Sequence, residues 1–147
     1  MRNERAGARR VVRWVAVIAA MLIASVLSGC SFGNDNYRED IPAALDGSGL
    51  GISESGAGES MSGISFTREI WGIYEDAELA PEDLPKLLNL ILENNSRSAS
   101  SINISFRTAA DDSVDVTRAK AEYGISPYGA TRLYLSMDEA RKIADQA

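Results

Sequence analysis

The 147-residue sequence contains no histidine and only one cysteine, Cys30. The absence of histidine removes the side chain that most often serves as a general base and as a metal ligand near neutral pH. A single cysteine can form neither an internal disulfide nor a thiolate zinc cluster. We therefore expect no histidine-dependent catalytic residue, no metal site and no cofactor, and a fold that is stabilised by apolar packing.

Positive charge is also scarce, and it is unevenly placed. The chain has 15 Lys and Arg against 21 Asp and Glu, a formal net charge of −6. The residues before Cys30 contain five arginines and one glutamate, so the rest of the chain is more acidic than the whole. An acidic domain without basic clusters repels phosphate groups. Nucleic acid is therefore excluded as a partner, and so is electrostatic docking to anionic lipid.

The N-terminal segment has the features of an export signal. A basic stretch ends at Arg13, and residues 14–27 form an apolar run that only Ser25 interrupts. A basic segment, an apolar stretch of roughly 7–15 residues and small residues after it are typical of a cleavable secretory signal. As a helix this run would be about 21 Å long, short of a hydrocarbon core of about 30 Å. The pattern predicts a signal peptide over residues 1–29.

The end of this segment, Leu27-Ser28-Gly29-Cys30, resembles the lipobox of bacterial lipoproteins. The resemblance covers about the first fifth of the chain. It implies cleavage between Gly29 and Cys30 and a diacylglyceryl group on the Cys30 thiol. Two acyl chains give the stable membrane attachment that one chain does not. We therefore expect a lipid-anchored protein on the extracytoplasmic face of the cell membrane.

Other interpretations of the N-terminus stay open. Residues 14–32 could form a plain membrane anchor if the polar residues 28–31 are tolerated, and an ordinary secretory signal could precede Cys30 by coincidence. The pair Arg9-Arg10 leaves the export route open between general secretion and the twin-arginine pathway.

Residues 30–62 are predicted to be a lipidated N-terminus and a flexible linker. The stretch is rich in glycine, serine and acidic residues, and its apolar residues Leu45, Leu50 and Ile52 follow no sustained period. Such chains behave as self-repelling coil, and thirty residues have an end-to-end distance of roughly 30 Å. The expected role is a spacer that lifts a domain off the bilayer.

Residues 63–147 alternate between strand-like and helix-like patterns. Residues 66–74 are aromatic and β-branched, which predicts a strand, although their apolar residues also fit a helical spacing. Residues 102–107 and 131–137 alternate between apolar and polar, which predicts two further strands. Leu84, Leu87, Leu88, Ile91 and Leu92 form one apolar helical stripe.

Two shorter helices complete the predicted domain. The first would follow Asp115 and end at Gly124, where a left-handed residue is expected. The second would begin with the capping-box pair Ser136 and Glu139. The resulting order, β-α-β-α-β-α, predicts an α+β fold. We expect a small single sheet of about three strands, with two or three helices packed mainly on one face, preceded by a signal peptide and a flexible linker.

Two tyrosines are the candidate partner-binding residues. Tyr128 falls in a predicted loop, and Tyr134 falls on the strand face opposite the apolar one. Aromatic side chains anchor interfaces but also fill small cores, and Trp71 and Tyr74 are expected in the core. The cluster of aspartates at 111, 112 and 115 lacks the spacing of a calcium loop and indicates turn and helix-cap chemistry.

These observations favour a non-enzymatic, lipid-anchored interaction domain that binds an envelope protein or polymer. One alternative is an envelope hydrolase with two carboxylates among Glu69, Glu75 and Asp76, because such chemistry needs no histidine. Another alternative is a small-ligand carrier, which would need an internal cavity.

Overall fold

The computed structural model describes residues 36–147. The predicted signal peptide, its cleavage site, Cys30 and residues 31–35 lie outside the described part of the chain. The described residues form four α-helices, four strands and one 3₁₀ turn. In chain order they are α1 (Tyr37–Asp46), β1 (Ile52–Ser62), β2 (Ser65–Tyr74), the 3₁₀ turn (Pro81–Asp83), α2 (Leu84–Glu93), β3 (Ser101–Arg107), α3 (Thr117–Tyr123), β4 (Leu133–Ser136) and α4 (Met137–Ala144).

The four strands form one mixed sheet in the order β1-β2-β3-β4. β1 and β2 are an antiparallel hairpin, β2 and β3 are parallel, and β3 and β4 are antiparallel. Parallel neighbours cannot be joined by a tight turn, and α2 provides the crossover between β2 and β3.

One face of the sheet carries the core. Successive side chains of a strand point to opposite faces, and the buried positions of the middle strands fall on one of them. α1 contacts β1, α4 contacts β3 and β4, and both helices pack against α2. The predicted class is confirmed: the chain is an α+β fold with a single sheet. The buried apolar residues of the strands are Ile52, Ala57, Ile70, Tyr74, Ile102, Ile104, Phe106, Leu133 and Leu135.

The predicted linker needs correction over residues 36–62, where the structure has α1 and β1. The buried side chains of α1 are Tyr37, Ile41 and Leu45, which are spaced by four residues and form a narrow apolar stripe. Charged residues and Pro42 separate them, which hides the period in the sequence. The domain therefore begins about 27 residues earlier than the predicted boundary at residue 63, and the sheet has four strands instead of three.

β1 has almost none of the β-branched and aromatic residues that mark a strand in a sequence. It forms because backbone hydrogen bonding to β2 does not depend on side-chain type, and its pairing runs from Ile52 opposite Tyr74 to Ser62 opposite Ser65. A bulge between Ser53 and Gly56 interrupts this register.

Arg68 fastens α1 to the sheet from the core side. Its side chain is fully buried, and its guanidinium lies 3.4 Å from the centre of the Tyr37 ring. Arg68 also donates hydrogen bonds to Asn95 Oδ1 at 2.9 Å and Glu59 Oε2 at 3.3 Å. These contacts place the beginning of α1 beside the end of the sheet where the β1–β2 turn lies.

The periodic elements were predicted at the right places. α2 and β3 lie within one residue of their predicted bounds, and α3 ends at Gly124 with a φ of 62°. β4 is shorter than predicted, since only Leu133–Ser136 is strand. No helix within residues 36–147 is long and apolar enough to cross a membrane.

Candidate functional site

The sheet face opposite the helices is polar and is the candidate binding surface. We call it the open face. Its side chains are exposed or half-buried except for Ser101, which is buried. The strand register sets them in rows, so that Glu69, Asn103 and Tyr134 lie side by side on β2, β3 and β4. The open face includes Ser60, Thr67, Glu69, Trp71, Ile73, Ser101, Asn103, Ser105, Arg107 and Tyr134.

Trp71 lies on the open face, which corrects its predicted place in the core. Its indole is 47% exposed, whereas its neighbour Ile70 is buried on the helix side. The ring lies against Gly56 and Gly58 of β1: a Cβ on Gly56 would overlap the indole, and one on Gly58 would approach it to 3.1 Å. The two glycines let the ring lie flat on the neighbouring strand, and this leaves a broad aromatic surface towards solvent.

Hydrogen bonds hold the polar side chains beside this ring in place. Glu69 accepts hydrogen bonds from Ser60 Oγ and Asn103 Nδ2, both at 2.7 Å. Tyr134 donates its hydroxyl to Ser101 Oγ at 3.1 Å, and Ser101 shares a 2.8 Å hydrogen bond with Thr67. Side chains held in this way lose little further freedom when a ligand binds, which is a property of pre-organised sites.

A cleft of about 500 Å³ continues the open face past Trp71. It lies at the carboxyl ends of β2 and β3, next to the bulge of β1 and the turn after β3. Its lining combines apolar and aromatic side chains, among them Trp71, with hydroxyl, carboxylate and guanidinium groups. Such a mixture of polar groups at the end of a rigid sheet suits a ligand with many hydroxyl groups. The main side chains of the lining are Glu54, Trp71, Ser105, Arg107, Asp111 and Arg132.

Two acidic residues of the cleft have unusual backbone conformations. Glu54, with a φ of 46°, lies in the bulge, and Asp111, with a φ of 68°, lies in the turn after β3. Within residues 36–147 these are the only residues other than glycine with positive φ. Such conformations cost about 1–3 kcal/mol each and concentrate at functional sites. Arg107 Nη1 pairs with Asp111 Oδ1 at 2.7 Å, so the turn presents a solvent-exposed ion pair to the cleft.

The two predicted partner-binding tyrosines do not share a surface. Tyr134 is 62% exposed on the open face, whereas Tyr128 is 89% exposed in the loop before β4 and does not line the cleft. The buried Lys120 holds that loop, because its ammonium donates to the Tyr128 carbonyl at 2.6 Å. Burial lowers the pKa of Lys120. Partner binding by either tyrosine stays a prediction.

Of the three carboxylates proposed for a hydrolase, Glu69 lies apart from Glu75 and Asp76. Glu69 is bound to Ser60 and Asn103 in the middle of β2, and Glu75 and Asp76 follow the end of that strand. Six residues of strand separate Glu69 from Glu75 by about 20 Å, well beyond the roughly 5–10 Å of a catalytic carboxylate pair. Residues 36–147 also contain no group of three acidic or cysteine side chains placed to hold a metal ion.

The predicted position of Tyr134, on the strand face opposite the apolar one, agrees with the structure, but Trp71 and the two acidic residues of the cleft were not predicted as site residues. The alternation of β2 could have placed Trp71 opposite Ile70, and Gly56 and Gly58 could have indicated a neighbouring aromatic ring. Comparison of this chain with protein-family models, curated proteins and solved structures gives no match.

Proposed function

We propose that this chain is a bacterial lipoprotein, held through an acylated Cys30 on the extracytoplasmic face of the cell membrane. We further propose that its domain binds an envelope polymer rich in hydroxyl groups on the open face and in the adjoining cleft. The lipobox resemblance of residues 27–30 supports the anchor, and the open face supports the recognition of a polymer.

The observation that carries the second proposal is the flat, half-exposed indole of Trp71. A sugar ring offers a face of weakly positive C–H groups, which matches the negative face of an aromatic ring. The hydroxyl groups at the edge of such a ring need donors and acceptors, and Glu69, Asn103 and Arg132 supply both beside the indole. An extended sheet face with an open cleft also accommodates a chain that continues in both directions.

The recognition test uses Trp71 as its own reporter. The sequence has two tryptophans, and cleavage before Cys30 removes Trp14, so Trp71 is the sole tryptophan of the mature chain. We expect soluble fragments of the envelope glycan to change its fluorescence, and the mature chain to sediment with the insoluble polymer. Trp71→Ala should lower the affinity at least tenfold.

The matched control is Tyr128→Ala, which removes an exposed aromatic side chain outside the open face. It should bind the polymer as the wild type does. Unchanged binding by Trp71→Ala, or loss of binding in Tyr128→Ala alone, would show that the open face is not the contact surface. Retention of a protein in place of the polymer would contradict the proposed class of partner.

The anchor is tested by partition between water and a detergent phase. Wild-type protein from cells should enter the detergent phase, and Cys30→Ala should remain in water or keep its full precursor mass. Partition of Cys30→Ala into detergent as a shortened chain would contradict lipid attachment at this residue.

A second candidate function is hydrolysis of the same polymer by Glu54 and Asp111. The specific observation in its favour is that these two carboxylates have the strained backbones and line one cleft. Glu54→Gln and Asp111→Asn would each abolish polymer cleavage while leaving Trp71-dependent binding in place. Undiminished cleavage in both variants, or no cleavage by the wild type, would exclude this function.

A further inference from the structure

The β1–β2 turn exposes a bulky apolar side chain that contributes nothing to the core. Ile64 is 96% exposed, and Met61, across the turn, is 68% exposed. The turn has two central residues, and Gly63, with a φ of 62°, occupies the first of them, as a type II′ turn requires. The second position accepts polar residues equally well, so the isoleucine is not explained by the geometry of the turn.

No charged side chain lies between residues 61 and 66, which we call the hairpin tip. The nearest charges on the helix side are paired: Glu59 lies 3.3 Å from Arg68 and 3.7 Å from Arg97. Phe66, opposite Met61 in the register, is half-buried below the guanidinium of Arg97. The hairpin tip itself can therefore enter an apolar environment without taking a charged side chain out of water.

The hairpin tip and the beginning of the described chain lie at the same end of the domain. Tyr37 stacks on Arg68, which is three residues beyond the beginning of β2, and Ser55 at the other end of β1 contacts the second half of α1. α1 therefore runs antiparallel to β1, with its first turn beside the hairpin tip. The cleft lies at the opposite end of the sheet.

The chain between Cys30 and Asn36 is too short to hold the domain far from an anchor. The five intervening residues allow a separation of about 20 Å at full extension. A chain attached to lipid at Cys30 would thus keep the beginning of α1, and the hairpin tip beside it, close to the bilayer surface. The predicted thirty-residue spacer would not have imposed this constraint.

We propose that Ile64 and Met61 insert into the boundary between headgroups and acyl chains of the membrane that carries the anchor. This inference rests on the proposed attachment at Cys30. The domain then contacts the bilayer at two points, and the cleft and most of the open face are directed away from the membrane. The contact is apolar, so it does not need the basic patch that this acidic chain lacks.

The test attaches the chain to vesicles by chemistry, so that it does not depend on acylation in the cell. Cys30 is the only cysteine, which allows residues 30–147 to be coupled through its thiol to a maleimide lipid in phosphatidylcholine vesicles. Two variants carry one tryptophan each: Trp71→Phe with Ile64→Trp, and Trp71→Phe with Tyr128→Trp. Both new indoles replace highly exposed side chains, so neither disturbs the core.

Lipids with brominated acyl chains quench tryptophan only at contact. We expect at least twofold stronger quenching for Ile64→Trp than for Tyr128→Trp. Equal quenching of the two variants, or no quenching at Ile64→Trp, would overturn the membrane contact. The hairpin tip would then be interpreted as a docking site for a protein. Absence of acyl chains on Cys30 in cells would overturn the proposed function. The vesicle experiment would still decide whether the hairpin tip contacts a bilayer when the chain is attached at Cys30.

Discussion

At the residue scale, the exposed aromatic surface depends on two positions that carry no side chain. A side chain at Gly56 would occupy the space of the Trp71 indole, whereas one at Gly58 would only touch it. Neither glycine has a positive φ. The reason for glycine at these positions is therefore the close approach of the ring rather than the backbone conformation.

Gly56→Ala is expected to displace the indole and weaken polymer binding about tenfold, with a shift of the Trp71 emission maximum. The ring is half-exposed and can turn into solvent, so the free energy of unfolding should change by less than about 1 kcal/mol. Gly58→Ala is the matched control and should have a smaller effect on both readouts. Equal binding by wild type and Gly56→Ala would show that the flat ring is not needed.

Tyr74 is a core residue whose ionisation reports on the burial of its phenol group. Burial, together with its hydrogen bond to Asp83 Oδ2 at 3.1 Å, raises the pKa of Tyr74 to about 12. The pKa of Tyr74 is higher in the folded protein than in the unfolded chain, where it is near 10. The contribution of the neutral phenol to the free energy of unfolding is therefore complete below pH 10 and is lost as the pH rises through 12.

In an ultraviolet titration of the phenolate groups, a late ionisation step near pH 12 should be present, and Tyr74→Phe should remove that step. Unfolding measured between pH 10 and 12 should lose less free energy in Tyr74→Phe than in the wild type. A late step that persists in Tyr74→Phe would assign the raised pKa to another tyrosine.

At the element scale, the clearest local signal in the sequence is the start of α4. Ser136 Oγ accepts a hydrogen bond from the Glu139 backbone N–H at 3.2 Å, and the Glu139 carboxylate accepts from the Ser136 backbone N–H at 2.8 Å. The predicted capping box is therefore confirmed. The hydrogen bonds from Ser136 lower the pKa of Glu139. The contribution of the ionised Glu139 to the free energy of unfolding is therefore complete above the ordinary carboxyl pKa and is lost as the pH falls through the lowered pKa.

Ser136→Ala should lower the free energy of unfolding by about 1 kcal/mol near neutral pH, measured by urea denaturation. The loss should shrink in acid, where Glu139 is protonated in both proteins. Ser113→Ala, outside any helix start, is the control and should be close to neutral. If Ser136→Ala lowered the free energy of unfolding equally at acid and neutral pH, the contribution of the cap would not depend on the ionised Glu139 carboxylate.

The elements that were predicted correctly and those that were missed differ in how they are stabilised. The buried positions of α2 and those of β3 on the helix side all carry apolar side chains, so their period is visible in the sequence. α1 buries only three apolar side chains, separated by charged residues and Pro42, and β1 is held largely by backbone pairing with β2. Neither element therefore shows a clear period in the sequence. The positive φ of Glu54 is likewise a consequence of tertiary pairing that no local pattern reveals.

At the scale of the whole molecule, the correction of the linker changes what the protein can do. With the proposed lipid anchor on Cys30, a domain that begins at Tyr37 instead of residue 63 would be tethered closely to the membrane, and its two ends would face different surroundings. The end with the hairpin tip faces the bilayer in our proposal, and the end with the cleft faces the envelope.

This domain boundary makes a testable prediction about folding. Residues 36–147 should unfold cooperatively, whereas residues 63–147 should be largely unfolded. The shorter chain lacks the buried Tyr37, Ile41 and Leu45 and leaves β2 as an unpaired edge. Circular dichroism and dispersion of amide resonances distinguish the two outcomes. A stable, cooperative fold of residues 63–147 would restore the linker interpretation.

The intact mass of the mature protein, purified from the membranes of its own host, tests the central claim most directly. Our account predicts a chain that begins at Cys30 and is heavier than residues 30–147 by a diacylglyceryl group, with the added mass located on the N-terminal residue by fragmentation. An unmodified Cys30, or a chain that still carries residues 1–29, would contradict it.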